Sequence, residues 1–181
     1  MISRVCVIAV ISLMATFATA QTVVSLSKKQ THFIYASLKE AKLYLVQQDL
    51  STGALMVEGE FTISIGKAGF GKKFEGDKKT PLGIYKIGRF IHKDELPERY
   101  GDGAYTLTYP NRIDRLNRRT GSGIWIHGTE YGKEPRPYLD SDGCVVLSNS
   151  DLSLVGQFID KTQPFVILSD QSFASVSGQA D

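Results

Sequence analysis

Short β-rich runs separated by glycine and polar turns recur along most of this chain, leaving room for one helix. Phe33-Ile34-Tyr35 and residues 43–46 flank the polar Lys39-Glu40, and Ser51-Thr52-Gly53 reads as a turn. Residues 54–65 then alternate apolar and polar side chains, as a half-buried strand does. Further strands are expected at 83–87 and 105–109, with a polar connection between them, then at 124–126, 144–147 and 165–168. Ser150-Asp151 can cap a helix over 152–160, because their side-chain oxygens accept the orphan N–H groups of a first turn. Many short strands with one short helix predict a mainly β, sandwich-like or barrel-like domain with no internal repeat.

Composition narrows the partners. A chain that is 42% hydrophobic and 22% charged can bury a core, and 21 basic against 19 acidic residues give a net charge of only +2. That balance does not point to nucleic acid, and the basic pairs Lys72-Lys73, Lys78-Lys79 and Arg118-Arg119 read as solvated loop surface. Residues 66–72 match most of a phosphate-binding loop, but Lys73 stands where a magnesium-binding Ser or Thr is needed, so a flexible basic loop is expected. His127, Asp140, Asp142 and Cys144 fit no zinc-ligand spacing, and His32 and His92 are isolated. No metal or cofactor is expected.

The N-terminus reads as an export signal over residues 1–20. Arg4 precedes an apolar run, and Ala18-Thr19-Ala20 offers small residues for cleavage before Gln21. The uncharged stretch of sixteen residues is shorter than the roughly 20 that span a bilayer, so no stable membrane insertion is expected after cleavage. Residues 21–32 form a lead-in, 33–168 the domain and 169–181 a polar tail. Cleavage leaves Cys144 as the single thiol. An unpaired cysteine in an exported protein is either a reactive thiol or an inert core filler.

His127 ends one expected strand and Cys144 begins the next, seventeen positions later. As antiparallel neighbours the two strands would place both side chains together at one end of a sheet. A thiol is a good nucleophile, and an adjacent imidazole can take its proton and return it to a leaving amine. Gly143 lets backbone N–H groups of Gly143 and Cys144 approach a developing oxyanion without a Cβ in the way.

Ile126-His127-Gly128, the later Ser141-Asp142-Gly143-Cys144 and the upstream stretch 76–87 together resemble the L,D-transpeptidase catalytic domain, the YkuD type. The resemblance runs over about 33–168. It implies the β-rich fold of that family and peptidoglycan stem peptides as substrate. It also implies Cys144 as nucleophile, His127 as general base and the Gly128 carbonyl as the group that orients the imidazole. The chain departs from the common pattern at Asp142, where many members have His, and at Val146, where many have Arg or Asn. Its His-to-Ser loop is also slightly short, and the motif looks more like a proteobacterial branch that includes stem-trimming members. Periplasmic location follows from the same resemblance together with the signal.

The implied activity is transpeptidation through a cysteine thioester, with L,D-carboxypeptidation as the outcome when water replaces the acceptor amine. A non-catalytic wall-binding module and a general cysteine protease are the competing classes, and an enzyme is expected to carry a thiol that alkylates readily at neutral pH. The loop 129–142 joins the two reactive residues and is expected to gate the site. Arg136, between two prolines, and Ser141 are the candidates for substrate contact, since a planar guanidinium suits a stem carboxylate.

Overall fold

A computed structural model describes residues 30–178, so the expected signal segment 1–20 and most of the lead-in lie outside the described residues. The strands are β1 (Gln30–Ser37), β2 (Lys42–Asp49), β3 (Leu55–Thr62), β4 (Ile65–Gly66) and β5 (Gly83–His92), followed by β6 (Gly103–Leu107), β7 (Trp125–His127), β8 (Leu139–Ser141), β9 (Val145–Val146) and β10 (Phe165–Ser169). The helices are α1 (Arg112–Leu116), α2 (Asn149–Thr162) and α3 (Phe173–Ser177). Eight strands form one sheet in the order β3-β2-β1-β10-β5-β6-β7-β9, while β4 and β8 pair separately. The fold is mainly β, as the run of short strands predicts.

Alternation along β1 explains its central place. Ile34 and Ala36 enter the main core, which Leu43, Leu45, Ile126 and Val145 share, while Phe33 and Tyr35 face a second cluster with Val46 and Phe173. A strand buried on both faces needs a cover on each. On the main face that cover is α2, which contributes Leu152, Val155, Phe158 and Ile159 at helical spacing. Each such side chain stabilises by roughly 1.5–3 kcal/mol when fully buried. The helix begins where Ser148, not Ser150, accepts the Asp151 N–H at 3.0 Å, and it ends at Gln163 in the left-handed conformation. It is therefore longer than the expected 152–160.

The opposite face is covered from the segment expected to be a polar tail. Its one aromatic residue, Phe173, starts α3 and stacks on Tyr44 with ring centroids 4.6 Å apart. Its N–H donates to Glu40 Oε2 at 3.0 Å.

Two loops are more built than their basic sequences suggest. Lys72 is buried, pairing with Asp77 Oδ1 at 2.7 Å, and the other Asp77 oxygen accepts the Lys73 N–H at 2.7 Å. The expected flexible, solvated loop is thus corrected to a turn wound around an ion pair. The loop 111–123 contains α1, whose Asp114 is buried, closes a capping box with Asn111 and pairs with Arg119 at 2.9 Å.

Candidate active site

β7 and β9 are neighbours, but they run parallel, with Ile126 opposite Val145 and His127 opposite Val146. The antiparallel arrangement expected for them is wrong, and the length of the connection gives the reason. Parallel neighbours need a crossover of about a dozen or more residues, and the seventeen-position separation provides one. The crossover is not helical. It passes through β8, which runs parallel to β4, and returns to Cys144. Ser64 then bridges Val146 with reciprocal 2.9 Å backbone bonds, so β9 is held from both sides. Val146 is consequently buried.

His127 and Cys144 line one cleft of about 170 Å³ together with Arg136, Asp142, Arg99 and Tyr100. The imidazole Nδ1 lies 2.6 Å from the Gly128 carbonyl oxygen. A carbonyl can only accept, so Nδ1 carries the proton and Nε2 is left as the basic nitrogen. The ring is 5% exposed, and this burial lowers its pKa to about 4 against the opposing Gly128 bond, with the positive charges of Arg136 and Arg99 adding to the fall. Tyr100 packs edge-on against it at 4.9 Å.

The Cys144 thiol donates to the Gly123 carbonyl at 3.4 Å. Burial pushes its pKa up to about 11, although the Trp125 N–H bonded to the sulfur works the other way. Both shifts favour the uncharged forms, a neutral thiol and a neutral imidazole, over a thiolate–imidazolium pair. An imidazole whose basic nitrogen is Nε2, lining the same cleft as a thiol, can take the thiol proton as the sulfur attacks.

Ser141 holds the turn before the cysteine. Its hydroxyl donates to the Cys144 carbonyl at 2.6 Å and accepts the Gly143 N–H at 3.1 Å. Ser141 is buried at the lining of the same cleft, with its hydroxyl bonded to the backbone in both directions, and the Gly143 N–H is bonded to it. Among the described residues the Cys144 N–H has no backbone partner. Gly143 itself has φ +130°, and a Cβ there would lie 2.8 Å from the Lys79 carbonyl oxygen, so the turn requires glycine.

Arg136 reaches the cleft, but its Nε donates to Asp140 Oδ2 at 3.0 Å and one terminal nitrogen to the Asp140 carbonyl at 2.8 Å. It ties the crossover to itself. Sequence reasoning missed Arg99, Tyr100 and Asn149. The first two lie in a 3₁₀ turn, Glu98–Tyr100, within what reads as a featureless polar connection. Asn149 bolts that turn to the base: its Oδ1 accepts the Asp102 N–H at 3.0 Å and its amide donates to the Thr129 carbonyl at 2.8 Å. A Cβ on Gly128 would fall 2.2 Å from the same oxygen, so glycine after the histidine lets Asn149 approach. Among the described residues no group of three or more His, Cys, Asp or Glu gathers as a metal site. No helix among them is long and apolar enough to cross a membrane.

The cysteine and the histidine line one cleft of a mainly β domain. The model of the L,D-transpeptidase catalytic domain, YkuD, matches residues 31–167, and the chain belongs to that family. Among solved structures it is similar to the helical cell shape determining protein Pgp2 from Campylobacter jejuni, at 29% identity and a TM-score of 0.69, covering 80% of this chain and 49% of that one. It is also similar to Bd1075 from Bdellovibrio bacteriovorus, at 26% identity and a TM-score of 0.63, covering 82% of this chain and 52% of that one. The chain spans about half the length of these two proteins. Among curated proteins no match is found.

Proposed function

We propose that this chain is an exported, periplasmic peptidoglycan-remodelling cysteine enzyme, an L,D-transpeptidase that acts on stem peptides through a thioester. The observation that carries this reading is the pairing in one cleft of Cys144 with an imidazole whose Nδ1 is locked on Gly128, in a chain of this family. Cys144 Sγ attacks the carbonyl at the L-centre of the stem diamino acid while His127 Nε2 takes the thiol proton. The Cys144 N–H stabilises the oxyanion. His127 then gives the proton to the departing D-alanine amine as the C–N bond breaks, leaving a thioester. An amine from a second stem resolves it to a cross-link and restores the thiol. Water at the same step gives a shortened stem, which is L,D-carboxypeptidation by the same residues. Likeness to a cell shape determining protein supports a role for either product in shaping the wall.

The test is to incubate the mature protein with tetrapeptide-bearing wall fragments and resolve the products by mass. Cross-linked dimers support transpeptidation and tripeptide stems support trimming. Release of L-peptides from casein without either product would favour a general protease, and no product at all would favour a binding module.

A further inference from the structure

We infer that Arg99 is the carboxylate-binding residue of this cleft, holding a stem carboxylate next to the scissile bond. The inference rests on the stem-peptide reading above and goes beyond it by assigning the residue that selects the substrate's charge.

Three cations line the cleft, and they are not equivalent. Arg136 spends one edge of its fork on the Asp140 carboxylate and carbonyl, and Lys67 stands 3.7 Å from Asp142. Arg99 makes no ion pair among the described residues. Its guanidinium lies over the Tyr100 ring, 5.0 Å from the centroid, and one terminal nitrogen donates to the Tyr100 hydroxyl at 3.4 Å. The remaining donors are open to the cleft that holds Cys144. A guanidinium steadied on an aromatic face with its fork unspent is suited to a planar anion.

The mounting is rigid where it matters. Tyr100, under the guanidinium, packs on His127, and the Gly101 N–H closes the turn on the Glu98 carbonyl at 2.9 Å. The Asp102 N–H bonded to Asn149 ties the next residue to α2. Arg99 is thus placed by the same bonds that place the base. Val146, buried in its bridge to Ser64, offers no cation in the family's more usual position, whereas Arg99 lines the cleft that holds Cys144.

A tetrapeptide stem has two carboxylates near the scissile bond: that of the departing D-alanine and that on the D-centre of the diamino acid. The experiment compares the natural stem with a stem amidated at each of these positions, on wild type, Arg99→Met and Arg99→Lys. Wild type is expected to lose roughly ten- to hundredfold in kcat/KM on one of the amides, the scale of a charge-assisted hydrogen bond. Arg99→Met should show the same loss on the natural stem and none further on that amide, and Arg99→Lys should recover part. Iodoacetamide, which is neutral, should still alkylate Cys144 in both variants. An Arg99→Met enzyme that keeps the full preference for the carboxylate, or loses equally on all three stems, overturns the inference alone. A wild type that turns over none of the stems overturns the stem-peptide reading and this inference with it.

Discussion

The Leu147 N–H donates to the His127 carbonyl at 2.9 Å, so the backbone that carries His127 is bonded to the backbone that follows Cys144. Neither reactive side chain takes part in that bond. The pair is assembled by strand registration, with Ser64, Thr129 and Asn149 pinning the edges, and the chemistry is laid over a frame that forms without it.

Replacement of Cys144 should therefore separate activity from fold. Cys144→Ala is expected to abolish turnover while circular dichroism and the melting temperature stay close to wild type. A carbapenem, which resembles an acylating substrate, should add its mass to the wild type and not to the variant. His127 replacement should slow turnover by about a hundredfold or more, the scale of general acid–base catalysis. An active Cys144→Ala enzyme would sink the mechanism.

The neutral state of the pair makes a kinetic prediction of the opposite sense from that of a thiolate–imidazolium enzyme. With the thiol raised to about 11, iodoacetamide should alkylate the free protein slowly at pH 7 and progressively faster as the pH passes 9. A rate already at its plateau at pH 6 would show a preformed thiolate and require proton transfer before, not during, attack.

The site was legible in the sequence where its parts are local and opaque where they are brought together by topology. Cys144, Gly143 and His127 sit in compact motifs at strand ends, and the chemistry of a lone thiol near a histidine can be read without coordinates. Strand direction cannot be read from alternation, because side chains alternate identically in both directions, and the length of the 128–143 connection was the available signal for a parallel pair. Arg99 and Tyr100 lie in a polar segment with no periodicity. They reach the cleft because β5 continues to His92, beyond the expected 87, and because Asn149 holds the following turn. Lys72 read as surface because a basic pair is usually solvated, and only the fold brings Asp77 under it.

Acid should destabilise the protein in two separate windows. His127 has its pKa lowered from 6.5 to about 4, so the unfolded chain gains a proton that the folded one refuses as pH falls through that range. Stability is fully present above 6.5 and about 3 kcal/mol is lost by pH 4. At Asp77 burial acts to raise the pKa but is outweighed by Lys72 and three backbone N–H donors, which bring it down from 3.8 to about 2. Its contribution, about 2 kcal/mol, is present above 3.8 and lost between there and 2. Denaturant melts at stepped pH should show His127→Gln flattening the upper window and Asp77→Asn the lower. A His127→Gln profile as steep as wild type between 6.5 and 4 would exclude the imidazole as the source.

Phe173 should prove structural despite its place in a polar run. It is 7% exposed, closes the face of β1 that carries Tyr35 and stacks on Tyr44. Truncating a buried phenylalanine leaves a cavity that neighbouring rings fill only in part, at about 3–5 kcal/mol. Phe173→Ala should therefore lower the denaturation midpoint markedly, whereas Val176→Ala, an exposed position on the same helix, should change it little. Because Phe173 packs in the cluster of Phe33, Tyr35 and Val46, and not in the core that holds Ile126 and Val145, the kcat of the folded fraction should be unchanged. A loss of kcat at full folding, with the midpoint intact, would show that the covered face communicates with the cleft.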